Sequence, residues 1–243
     1  MSSLPNHVAM IVDGNRRWAR SQHMPFFEAY KIVDKSEYYV GAFYPDIRSF
    51  TKQPREKYHF AVEKLRPYEL VGDVSKDFLL GYKVHLLIDE VWELPELKQM
   101  YSQAFPSLIR KRMTRGLQAL AFEMYCLEQP VEPVKLKPVE NALTKDLGVQ
   151  LSEITFAVNS MQKYIDAHSL EAAYVMAEEA QLFPEARLKT VKSVLERMKN
   201  PLIRMLANGV VRRASSPMLP RVIREVIGRL ALPASTSQMV TRV

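Results

Sequence analysis

Residues 7–20, HVAMIVDGNRRWAR, join two kinds of local structure. Val8–Val12 form a continuous apolar run, the pattern of a strand buried on both faces. Residues 16–23 favour a helix, and Asp13, Gly14 and Asn15 lie between the two. In an open parallel sheet, ligands bind beyond the carboxyl ends of the strands, which is where Asp13 is expected. Gly14 permits a sharp turn and close approach to the backbone. Asn15 can cap the following helix, whose free amides and positive end suit a phosphate. Arg16, Arg17 and Arg20 add charge, and an arginine fork binds phosphate oxygens bidentately. A carboxylate beside a phosphate nest is repulsive unless a cation bridges them. Mg2+ takes one or two carboxylates plus phosphate oxygens, so the stretch reads as a Mg2+–diphosphate site. The plain structural alternative is an Asp-Gly turn ahead of a solvated basic helix.

The chain has 243 residues, 47% of them apolar and 25% charged, an ordinary globular composition. No apolar run approaches the ~20 residues that span a membrane. The start, MSSLPNH, lacks the charged and apolar regions of a signal peptide, so a cytoplasmic protein is expected. The single cysteine, Cys126, excludes an internal disulfide and any multi-cysteine metal site. The net charge of +7 is uneven: residues 197–243 hold nine cations and one acid, whereas residues 1–196 hold 25 cations and 26 acids. The basic end of the chain suits an anionic partner: a phosphate-bearing ligand, a nucleic acid or a membrane surface.

Further apolar runs read as strands at 40–44 (VGAFY), 83–89 (KVHLLID, again ending in an acid), 154–158 (ITFAV) and 201–205 (PLIRM). Helices are expected over 52–65, opened by Pro54, over 95–105 and 107–127, and over most of 161–199 with a break at Pro184. Three prolines within 129–139 mark a loop or an insertion. Strands alternating with helices predict an α/β fold with a mainly parallel central sheet flanked by helices, in a single domain over 1–243. Eight glycines in the whole chain leave no glycine-rich nucleotide loop. His7, His23, His59, His85 and His168 fall at no metal-ligand spacing, and there is no Gly-x-Ser-x-Gly elbow.

Thirteen consecutive positions, HVAMIVDGNRRWA, resemble the N-terminal signature of the cis-prenyltransferases, the family of undecaprenyl diphosphate synthase. The likeness continues more weakly through 42–65, 83–99 and 200–219. It implies that Asp13 is the catalytic, metal-associated aspartate and that Gly14, Asn15, Arg16 and Arg17 hold the allylic diphosphate. Arg204 matches the first arginine of the late family motif, Arg212 or Arg213 the second, and Ser215 or Ser216 its serine; these residues would hold isopentenyl diphosphate. Glu225 lies near a family glutamate that helps bind metal. The chain also departs from the pattern. Phe26 stands where an arginine helps hold the allylic diphosphate, Ala29-Tyr30 replace a Gly-His pair, and Ile88 replaces the glycine of Gly-Asp. The region around Asp46 and Ser49 replaces a Glu-Asn, and a mid-chain insertion is implied.

The resemblance therefore implies a Mg2+-dependent enzyme. It would ionise an allylic diphosphate and couple it to an isopentenyl or dimethylallyl diphosphate acceptor, giving a short, branched or cyclised terpene. The expected partners are allylic and homoallylic prenyl diphosphates, a second subunit in a homodimer or heterodimer, and a peripheral membrane contact. The alternative is a catalytically reduced partner subunit of a cis-prenyltransferase complex. A nucleic-acid-binding role ranks below both, since the basic segment lacks interleaved aromatics.

Overall fold

Asp89 does not end a strand; it lies near the end of a 17-residue helix. In the computed structural model the chain is described over residues 32–104, 124, 127, 134–181, 184–215 and 218–231. Helix α1 (Lys35–Phe43) leads through a 3-10 turn (Tyr44–Ile47) into the short α2 (Arg48–Thr51) and α3 (Arg55–Tyr58). A second 3-10 turn (Val62–Leu65) precedes α4 (Arg66–Val71), α5 (Lys76–Trp92) and α6 (Pro95–Ala104). After residues 134–141, which belong to no helix or strand, come α7 (Ala142–Asp146), α8 (Leu151–Ala167), α9 (Leu170–Glu179) and α10 (Glu185–Met198). The described chain closes with α11 (Pro201–Ser215) and α12 (Met218–Ala231).

The predicted α/β fold with a parallel sheet is therefore incorrect: among the described residues there is no strand. Residues 40–44 lie in α1 and its 3-10 turn, 83–89 in α5, 154–158 in α8 and 201–205 in α11. The run 8–12 lies outside the described residues. The physical reason is clearest in α5. Phe78, Leu79, Tyr82, Val84, Leu86, Leu87, Ile88 and Val91 are all buried, so the helix is covered almost all round. A helix covered on every face gives a continuous apolar run, which periodicity cannot distinguish from a buried strand. The helix expected over 52–65 is instead two single turns, α3 and the 3-10 turn Val62–Leu65, parted by the non-helical residues 59–61. The helix expected over 107–127 lies almost wholly outside the described residues; the remaining expectations hold. Residues 95–104 form α6, Pro184 opens α10, and residues 134–139 are non-helical.

Two contacts fix how α1 and α5 meet. The Asp77 carboxylate, in the first turn of α5, accepts the backbone amides of Val33 at 3.0 Å and Asp34 at 2.6 Å, just ahead of α1. Farther along, Gly41 on α1 and Gly81 on α5 let the two backbones touch: a Cβ on Gly41 would lie 2.1 Å from the Phe78 carbonyl oxygen. Only glycine admits so close a crossing. The main core gathers around it, with Tyr38, Tyr39, Phe43 and Tyr44 against Phe78 and Tyr82, closed by Ile154, Val158 and Met161 of α8. The opposite side of α5 packs Val84, Leu87, Ile88 and Val91 on Val222, Ile223 and Val226 of α12, where Arg229 also reaches Glu90 at 3.0 Å.

Candidate metal centre

The close crossing of α1 and α5 carries buried polar side chains with it. Asp46, in the 3-10 turn after α1, and His85, on α5, are both fully buried. Asp89 follows His85 by one helical turn and so shares its face. His59 arrives from the end of α3, which is held to α5 by the Tyr82 hydroxyl donating to the Tyr58 carbonyl at 2.6 Å. The histidine Nε2 atoms are 3.1 Å apart. His59 Nε2 lies 3.6 Å from Asp46 Oδ1 and 3.2 Å from Asp89 Oδ2, and His85 Nε2 lies 4.0 Å from Asp46 Oδ2 and 3.8 Å from Asp89 Oδ2.

These separations suit a shared cation. Two donors each about 2.1 Å from one ion stand about 3.0 Å apart at a right angle, about 3.4 Å at the tetrahedral angle and at most about 4.2 Å. One donor atom from each of Asp46, His59 and His85 can be chosen so that all lie within 4.8 Å of one another. The ring of His85 is held in a ligating orientation. Its Nδ1 donates to the Ala42 carbonyl at 2.8 Å, which leaves the Nε2 lone pair facing the cluster. Bracing of the distal ring nitrogen is the usual support of a metal-bound imidazole.

The electrostatics favour the same conclusion. Neither oxygen of Asp46 has a hydrogen-bond partner. An ionised carboxylate buried in this way is costly unless a cation or proton neutralises it. Burial, reinforced by the neighbouring Asp89, pushes the Asp46 carboxyl up to about 8 despite Arg48 and Arg55 nearby. Burial also raises Asp89, opposed by His85 and Arg55. Asp89 is ion-paired with Arg55, and here the cluster approaches solvent: the Asp89 side chain is 11% exposed and that of Arg55 26%. Asp89 with Arg55 is thus the side of the cluster nearest solvent, with Asp46 and His85 fully buried behind it.

The residues singled out from the sequence lie elsewhere. Asp13, Gly14, Asn15, Arg16 and Arg17 are outside the described residues. Arg204, Arg212, Arg213 and Ser215 belong to α11, which is a helix and not the strand expected at its start. Arg204 and Arg212 lie along one open surface of this helix, together with Pro201, Met205, Asn208 and Gly209. Arg213 is exposed on the same helix. Glu225 is exposed on α12, and it does not belong to the group of metal-capable side chains found among the described residues. Comparison with known proteins finds no matching family, no matching curated protein and no matching solved structure.

Proposed function

We propose that Asp46, His59 and His85 bind one divalent first-row transition-metal ion and that the centre performs metal-assisted hydrolysis. The observation that carries this is the convergence of two imidazole nitrogens on a fully buried carboxylate that has no hydrogen-bond partner. Two imidazoles and a carboxylate suit Zn2+, or Fe2+ and Mn2+, better than Mg2+, which favours all-oxygen surroundings. Such an ion lowers the pKa of a bound water to near 7. Asp89 stands at the open edge, where it can receive that water's proton, and Arg55 fixes its orientation. Arg48 and Arg55 bring positive charge to the same edge, which suits a substrate whose transition state gains negative charge, such as an ester or phosphoester. The test is metal content and hydrolysis of activated aryl esters and phosphodiesters by the full chain, before and after chelation. A metal-free protein that hydrolyses such esters equally well would refute it.

Prenyl diphosphate chemistry is a second proposal, favoured by the thirteen-position match at residues 7–19. Asp13 with Mg2+ would ionise an allylic diphosphate held by Asn15, Arg16 and Arg17. The parallel sheet that would present Asp13 has no counterpart among the described residues, which ranks this second. Incubation with Mg2+, isopentenyl diphosphate and a set of allylic diphosphates, with products read by mass spectrometry, tests it directly; absence of any condensed or cyclised product would remove it.

A further inference from the structure

Helix α11 exposes apolar side chains that a globular surface ordinarily covers. Leu202, Met205 and Leu206 are 61%, 62% and 61% exposed. With Gly209, Arg212 and Arg213 they fall at spacings of three and four residues, so they form one stripe. The helix buries its other side: Val211, with Ala207 and Val210, packs on Val191, Leu195 and Met198 of α10. The outward stripe is therefore apolar over its first two turns and cationic over its last. No acid occurs anywhere in α11. Arg204 and Arg212, about 12 Å apart along the axis, flank Met205 on an open surface of the helix.

We infer that α11 is a docking surface for an anionic phospholipid bilayer, with Leu202, Met205 and Leu206 entering the headgroup–acyl boundary and Arg204 and Arg213 holding lipid phosphates. Charge complementarity selects this occupant. A second copy meeting on this stripe would offer no acid of the helix to pair with the arginines. A nucleic acid would leave the three large apolar side chains without a partner. An interfacial helix needs both an apolar stripe and flanking cations, and these two features meet here. No described helix is long and apolar enough to cross a membrane, so the contact is peripheral. This surface is separate from the Asp46–His59–His85 centre and stands whether or not that centre holds metal.

The test is co-sedimentation of the full chain with phosphatidylcholine vesicles, with and without phosphatidylserine, at low and high salt. Binding is expected only with phosphatidylserine present and should weaken with salt. Arg213→Gln should lower affinity about fivefold, and the pair Leu202→Gln and Leu206→Gln should abolish sedimentation. All three positions are exposed, and unchanged far-UV circular dichroism confirms that the variants fold. Equal sedimentation of wild type and the leucine variant would overturn the inference. So would self-association that these substitutions remove, without any vesicle binding, because it would assign the stripe to a second copy.

Discussion

Gly81 lies directly against the backbone of Tyr38: a Cβ on Gly81 would stand 2.1 Å from the Tyr38 carbonyl oxygen. This contact, with its counterpart at Gly41, sets the distance between α1 and α5. It thereby places Asp46, which follows α1, within reach of His85 on α5. Gly81→Ala must push the helices apart. The expected loss is about 1–3 kcal/mol of stability, as for an overpacked core, accompanied by weaker metal binding. Thermal melts with and without Zn2+ check both; an unchanged melting temperature would show that the crossing is not tight.

Tyr82 reaches across to α3 with a buried hydroxyl that donates to the Tyr58 carbonyl at 2.6 Å. Tyr82→Phe leaves the ring in place and strands that carbonyl, at a cost of about 1–3 kcal/mol. Because His59 follows Tyr58 directly, metal affinity should fall as well. Denaturant unfolding and zinc titration of the variant give the two numbers.

The carboxylate at the open edge should separate binding from chemistry. Asp89→Asn keeps the size of the side chain and leaves Asp46, His59 and His85 untouched. Metal binding is expected to stay within about tenfold of wild type, while hydrolysis falls by roughly 100-fold or more, the contribution of a general base. Parallel loss of metal and turnover would instead make Asp89 a fourth ligand.

The metal-free protein should also respond to pH in a particular direction. Burial, then the neighbouring Asp89, lifts the Asp46 carboxyl from 3.8 to about 8. Between these values the folded chain binds more protons at this site than the unfolded chain. Stability from this group is therefore full below about pH 4 and is lost as pH rises towards 8. Asp46→Asn should flatten that slope, and so should saturating metal, which replaces the proton. Unfolding curves across the window, with and without chelator, decide the matter.

Parts of this architecture are legible in the sequence, and the lost parts share a cause. Pro95 and Pro184 mark true helix starts because proline fixes its own backbone angle and limits what precedes it. Residues 83–89 look like a strand because their helix is covered by neighbours, so the polar face that marks an amphipathic helix is missing; 154–158 look like one because the exposed Phe156 of α8 lengthens an apolar run. That error also hid the site. Read as a strand, His85 and Asp89 stand about 13 Å apart; as a helix they are one turn apart and can share an ion. The usable signal was a histidine and an aspartate inside an otherwise apolar run, since buried polar groups need a reason. His59 and Asp46 carry no such signal, because the crossing of α1 and α5 and the Tyr82–Tyr58 contact bring them in.

Titration of Zn2+ into the chelator-stripped full chain, followed by calorimetry alongside the Asp46→Asn variant, tests the metal centre most directly. One ion per wild-type chain is expected, with affinity at least about 100-fold weaker in the variant while its helical circular dichroism is retained. Failure of the wild type to take up Zn2+, Fe2+ or Mn2+, or equal uptake by Asp46→Asn, would contradict the assignment of Asp46, His59 and His85 as a metal site.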